Sequence, residues 1–155
     1  IRVEADEATY NLHIVLRYEL EVALMRGDLQ AADLEAAWND KTRDLLQLEV
    51  KNINQGVLQD IHWAYGEFGY FPTYALGNLY AASLWKAMNR DIRGLDESIG
   101  NGELAPVKNW LREKVHREGF RCDAEPLITR ITGQGLTDDD FVSYLKVKYG
   151  ALYGI

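Results

Sequence analysis

Apolar residues recur at three- and four-residue steps along the first part of the chain, at Ala8, Leu12, Val15, Leu16, Val22 and Ala23. That period predicts a helix over about 1–25 with these side chains as its buried stripe. Gly27 follows in Arg26-Gly27-Asp28 and suits a left-handed helix end. A second helix over about 31–48 would bury Leu34, Trp38, Leu45 and Leu46. Periodicity is then lost over 50–70, where Gly56, Gly66 and Gly69 punctuate a run of aromatic and polar residues. This stretch reads as a structured loop with room for one short strand. Pro72 suits the first turn of a long helix over about 72–93, with Leu76, Leu79, Tyr80, Leu84 and Met88 on its apolar face. Residues 94–102 read as a loop. Pro106 opens a helix to about 118 that buries Val107, Trp110, Leu111 and Val115. Asp123 is placed to cap a short helix carrying Leu127, Ile128 and Ile131, closed by Gly133. Thr137 and Asp140 resemble a capping box with Asp in place of Glu or Gln, starting a last helix over 141–149. The expected fold class is all-α. No repeat, low-complexity tract or linker composition divides the chain, so 1–155 reads as one segment without an internal boundary.

Composition narrows the class. A length of 155 residues suffices for one compact domain or for part of a larger one. With 47% hydrophobic and 26% charged residues, extensive disorder is not expected. No apolar run approaches the roughly 20 residues that span a bilayer, and no secretory signal pattern is visible. The chain begins at Ile1, inside an apparent helix and without Met, which points to a longer parent. A formal net charge of −7, with Lys and Arg scattered, disfavours nucleic-acid binding. The single cysteine, Cys122, excludes an intrachain disulfide and any multi-Cys zinc site. It reads as a partly buried thiol and fits a reducing, cytoplasmic compartment.

Two segments carry candidate chemistry. On a continuous helix, Arg2, Asp6, Tyr10, His13 and Arg17 would share one polar stripe. The plain reading is a solvated face with an Arg2–Asp6 pair at i,i+4, worth a few tenths of a kcal/mol. The functional reading has Asp6 fixing the Arg2 guanidinium so that its planar fork can receive both oxygens of a carboxylate. The second segment runs from Gly56 through Gln59, Asp60, His62 and Trp63 to Tyr70 and Tyr74. Tight packing of such a loop would hold Gln59, Asp60, His62 and the tyrosine hydroxyls in fixed positions, as donors for a developing oxyanion require. The competing reading is an aromatic mini-core with a structural histidine.

A metal site built from this chain fails on spacing. His13, His62 and His116 are isolated, and no H-E-x-x-H occurs. Asp138-Asp139-Asp140 lacks the Gly and distal Glu of a calcium loop and reads as a helix-start charge cluster.

At these residues the sequence resembles the carboxypeptidase Taq family of zinc metallocarboxypeptidases. The family's I-R-x-x-A-D is met by Ile1, Arg2, Ala5 and Asp6, and its G-x-x-Q-D-x-H-W by Gly56, Gln59, Asp60, His62 and Trp63. The segments Tyr10-Asn11-Leu12-His13 and Phe68-Gly69-Tyr70-Phe71-Pro72-Thr73-Tyr74 are similar too. The resemblance implies the C-terminal part of a largely helical, deep-cleft metallopeptidase, related in architecture to neurolysin and angiotensin-converting enzyme. It implies release of C-terminal residues from peptides with broad specificity, and a homodimer. It further implies zinc, or another divalent metal, held by H-E-x-x-H and a downstream Glu. Those residues precede I-R-x-x-A-D in the family and are not in this chain, so the chain alone is expected neither to bind catalytic zinc nor to hydrolyse peptides. By the same resemblance, Arg2 would hold the substrate's terminal carboxylate, with Gln59 and Tyr74 as further substrate contacts. His62 would donate to a backbone carbonyl near the scissile bond, and Tyr70, or Tyr74 in its place, to the oxyanion. Asp6 and Asp60 would orient these groups from behind. The expected partners are peptides with a free C-terminal carboxylate and the N-terminal part of the same enzyme, with no nucleic acid and no membrane. The alternatives are a non-catalytic helical interaction module of the same fold, and a dipeptidase or oligopeptidase of the same architectural group.

Overall fold

The first helix starts later than its apolar period predicts, and the reason is local. In the computed structural model, which describes residues 1–154, Arg2–Glu4 form a single 3-10 turn and Ala5 is extended. The Asp6 carboxylate then accepts from both the backbone N–H and the hydroxyl of Thr9, each at 2.8 Å. A short polar side chain satisfying nearby backbone competes with helix in this way. Helix α1 therefore spans Tyr10–Arg26 and ends at Gly27, whose φ of 80° is the left-handed cap expected there.

All regular elements among the described residues are helical; no strand forms over 50–70. That stretch instead makes two 3-10 turns, Ile53–Gln55 and Trp63–Tyr65, with left-handed glycines at 66 and 69. Repeated turning leaves no extended run to pair. The remaining helices are α2 (Leu34–Leu46), α3 (Pro72–Asp91), α4 (Leu95–Gly100), α5 (Ala105–Lys114), α6 (Ala124–Thr132) and α7 (Asp139–Tyr153). No helix among the described residues is long and apolar enough to cross a membrane. The chain packs as two compact units, Ile1–Leu76 and Gly77–Ile155, divided within α3, where composition gives no sign of a boundary.

In the first unit, α1 buries His13, Ile14, Leu16, Arg17, Leu20 and Glu21. Of the expected apolar stripe only Leu16 is fully buried; Ala8 and Val15 are exposed. Three polar residues at i, i+4 and i+8 thus occupy the inner face. Such groups are tolerated inside only when their charges and donors are met, and the 56–71 segment meets those of Arg17 and Glu21. Around this row, Leu16, Leu20 and Trp38 form the apolar core, with Leu29, Leu34, Leu45, Val57 and Trp63 packed against it. Trp38 and Trp63 meet edge to face at 6.0 Å between ring centroids. Gly56 is buried beside them, and a Cβ there would lie 2.9 Å from Val50 Cγ1.

The second unit has its own core of Ala87, Met88, Leu95, Trp110 and Ile131. Residues 94–102, expected as a loop, contain α4. Leu95 and Ile99 lie one turn apart and pack inward, while Asp96 and Glu97 sit in the first turn, where the helix dipole favours acids. The capping box predicted from Thr137 and Asp140 does not form. Helix α7 begins at Asp139, and Asp140 is buried against Ser83 Oγ at 2.9 Å and Lys86 Nζ at 2.5 Å. Thr137 Oγ1 is buried without a hydrogen-bond partner among the described residues. Gly133 closes α6 at φ 88°, as expected.

Candidate active site

The site forms within the first unit, where the 3-10 turn at Arg2, the inner face of α1 and the 56–74 segment meet. Its centre is Asp60. One carboxylate oxygen accepts from Arg2 Nε at 3.1 Å and Nη2 at 2.7 Å. The other accepts from Arg17 Nε at 2.8 Å and Nη2 at 2.5 Å. Arg17 is wholly buried, stacked over Trp38 and Phe71, and its Nη1 donates to the His13 carbonyl at 2.7 Å. Burial alone would raise the Asp60 pKa, but hydrogen bonds and charge from Arg2 and Arg17 outweigh it and hold the carboxyl below its usual range. Burial works against charge on Arg2 as well, and Asp60 and Tyr10 override it, keeping Arg2 above its usual value. Two guanidiniums on one carboxylate leave the trio with one net positive charge.

Asp60, and not Asp6, is therefore the acid that fixes Arg2. The Arg2–Asp6 pair of the sequence reading is replaced because Asp6 turns to Thr9 and the helix does not extend back to Arg2. Tyr10 does join Arg2, its hydroxyl accepting from Nη1 at 3.2 Å. These contacts use three of the five guanidinium N–H groups of Arg2. The rings of Tyr74 and Phe71 lie 4.9 Å and 5.9 Å from its central carbon. Gln59 braces the same residue: its carbonyl accepts from Arg2 N at 2.8 Å and its amide donates to Gln55 O at 2.9 Å. Both ends of that side chain are thus engaged within the chain.

His62 sits against the same aromatic group. Its ring stacks on Tyr70 at 5.7 Å and meets Phe71 at 4.5 Å and Tyr74 at 5.9 Å between centroids. Nε2 is 3.0 Å from the Tyr74 hydroxyl, and Nδ1 is buried without a hydrogen-bond partner among the described residues, 4.0 Å from Asp60 Oδ1. Tyr70 and Tyr74, one helical turn apart, meet edge to face at 5.5 Å, and Tyr70 remains 45% exposed. Burial raises the Tyr74 pKa, so its hydroxyl stays protonated at neutral pH. The segment is anchored from behind by Glu21, whose Oε1 accepts from Trp63 Nε1 at 2.7 Å and from Gly69 N at 3.1 Å.

Arg2, Gln59, Asp60, His62, Tyr70 and Tyr74 are accordingly brought together, and Asp6 is not. Sequence reasoning assigned no site role to Arg17 or Phe71, and it missed Glu21 entirely. The available signal was the polar row 13, 17, 21 on a helix whose length demands a buried face. Among the described residues no three of His, Cys, Asp and Glu group so as to hold a metal ion. The described residues by themselves do not fit a catalytic metal.

The chain has close counterparts among known proteins. The chain belongs to the carboxypeptidase Taq (M32) metallopeptidase family, whose model matches residues 1–149. It is 49% identical over 154 residues to thermostable carboxypeptidase 1 of Thermus thermophilus, covering 99% of this chain and 30% of that protein. It is 46% identical over 153 residues to carboxypeptidase 1 of Bacillus subtilis, again covering 99% and 30%. Among solved structures, the M32 carboxypeptidase from Deinococcus radiodurans R1 superposes with a TM-score of 0.96 at 40% identity, over 100% of this chain and 31% of that one. Trypanosoma cruzi metallocarboxypeptidase 1 superposes with a TM-score of 0.91 at 38% identity, over 96% and 32%. The chain thus spans under a third of the length of these relatives.

Proposed function

We propose that this chain is the substrate-side, C-terminal part of a metallocarboxypeptidase that releases C-terminal residues from peptides with broad specificity. The observation that supports this most directly is the Arg2–Asp60–Arg17 cluster. It presents a rigidly held guanidinium, with net positive charge and two N–H groups to spare, beside groups suited to a peptide's last carbonyls. Arg2 takes the terminal carboxylate through its fork. Asp60 and Gln59 fix Arg2 from behind, which reduces the ordering cost of binding. His62 donates from Nε2 to Tyr74, which frees the Tyr74 hydroxyl proton for a substrate carbonyl. In that arrangement His62 reaches the substrate through Tyr74. The exposed Tyr70 hydroxyl serves the oxyanion of the tetrahedral intermediate.

The metal, zinc or another divalent ion, belongs in this reading to the part of the protein outside this stretch. The chain alone is inactive. The substrates are peptides with a free C-terminal carboxylate; neither nucleic acid nor membrane is a partner. The full protein is a cytoplasmic homodimer.

The test is Arg2→Met in the full-length protein. KM for a free-acid peptide should rise by about tenfold or more, with a smaller change in kcat. Unchanged KM would remove the carboxylate role. A full-length protein that hydrolyses no peptide would favour the non-catalytic interaction module.

A further inference from the structure

Asp60 poses an electrostatic problem for a carboxylate site. An arginine whose guanidinium is already bonded to an acid forms a neutral pair, and a neutral pair has little long-range attraction for a second carboxylate. Two of the Arg2 nitrogens bond Asp60 Oδ1. By itself this contact would hold Arg2 in place while cancelling the charge it needs.

Arg17 removes the conflict. It is 0% exposed, so it touches no ligand, and it takes the opposite oxygen of Asp60 through two nitrogens. Its remaining terminal nitrogen is bound to the His13 carbonyl one turn earlier on the same helix, which fixes the fork. It lies over the Trp38 and Phe71 rings at 4.6 Å and 5.3 Å, and burial lowers its pKa while Asp60 works against that shift. A buried guanidinium is costly unless something holds it there. Packing alone would be served as well by Met or Leu.

We infer that Arg17 is a positioning residue that neutralises Asp60 from the inside, so that Asp60 can orient Arg2 without cancelling its charge, and that carboxylate recognition depends on it. The inference rests on the reading of Arg2 as the carboxylate ligand. It adds a residue with no substrate contact that sets affinity for the free acid. The charge count is explicit: two guanidiniums and one carboxylate give +1, and removing Arg17 gives 0. Removing Arg17 and the Asp60 charge together restores +1.

The experiment uses the full-length protein with three variants: Arg17→Met, Arg17→Met/Asp60→Asn and Arg2→Met. Each is read by KM for a free-acid peptide and by inhibition with the same peptide as its C-terminal amide. Arg17→Met should weaken the free acid about tenfold while leaving the amide within about threefold. The double variant, which still lacks the Arg17 side chain, should regain preference for the free acid over the amide. A purely structural Arg17 would show no such recovery, and a double variant without that preference overturns the inference. Should the single variant fail to fold, the double remains measurable, since replacing both members of a buried pair is often near neutral. If Arg2→Met weakens the free acid and Arg17→Met does not, this inference fails and the carboxylate reading stands. If neither does, the carboxylate reading itself fails.

Discussion

The indole N–H of Trp63 donates to the buried carboxylate of Glu21 at 2.7 Å, and the same oxygen also receives the backbone N–H of Gly69 at 3.1 Å. One atom on α1 thereby pins both ends of the segment that leads into Tyr70. The other oxygen, Oε2, is buried without a hydrogen-bond partner among the described residues. Only one acceptor is in use, so Glu21→Gln should cost about 1 kcal/mol or less. Glu21→Ala strands two donors and should cost about 2–3 kcal/mol. Urea denaturation followed by tryptophan fluorescence measures both. Equal losses for Gln and Ala would show that the hydrogen bonds to Trp63 and Gly69 are not what Glu21 contributes.

Gly56 opens the second motif and is a packing requirement. An alanine Cβ would come within 2.9 Å of Val50 Cγ1. Gly56→Ala should destabilise by about 1–3 kcal/mol, the usual cost of overpacking. Adding Val50→Ala should recover part of that loss, because the clashing methyl is gone. A double variant no better than the single would place the strain in the backbone instead.

These residues show where the sequence was informative. Helix ends at Gly27 and Gly133 were readable because left-handed caps are set by one residue type. Gln59, Asp60 and His62 drew notice because they stand in a loop dense in glycines and aromatics that resembles a family motif. The inner face of α1 was not, because His13, Arg17 and Glu21 look like a solvated row unless their partners are known. Two of those partners' donors and acceptors, on Asp60 and Trp63, lie over 40 residues away. The same blindness made Asp6 appear to clamp Arg2 when Asp60 does, and made Asp140 appear to cap a helix when it binds Ser83 and Lys86. Local rules identify a polar residue's nearest use, and tertiary pairing overrides them.

His13 gives the first unit a defined sensitivity to acid. Burial, and then the charge of Arg17, lower its pKa from 6.5 to about 4, so it is neutral in the folded state at pH 7. The unfolded chain takes up a proton near pH 6.5 and the folded one only near 4. Stability attributable to His13 is thus intact above about pH 6.5 and declines as pH falls toward 4. The total loss is about 3 kcal/mol. Asp60 behaves as a lowered carboxyl should, and its contribution is lost only as pH falls below the ordinary carboxylate range. In urea titrations between pH 4 and 7, His13→Leu should flatten the slope across that window. A slope unchanged in the variant would assign the acid sensitivity elsewhere.

Tyr70 and Tyr74 compete for one role, and their surroundings separate them. The Tyr74 hydroxyl is tied to His62 Nε2 at 3.0 Å, whereas Tyr70 keeps 45% of its surface exposed and touches His62 only through its ring. A donor to a developing oxyanion must be free in the ground state and engaged in the transition state. Tyr70→Phe in the full-length protein should therefore lower kcat by about 10²–10³ and leave KM within about threefold, since it removes a contact made only at the transition state. Tyr74→Phe should have the smaller effect on kcat and a visible effect on KM, because it releases His62 and removes a hydroxyl held near the substrate carbonyl. Steady-state kinetics on one free-acid peptide decides between them. If the larger loss in kcat falls on Tyr74→Phe, the oxyanion contact belongs to the His62–Tyr74 pair, and the exposed Tyr70 serves as a wall of the site.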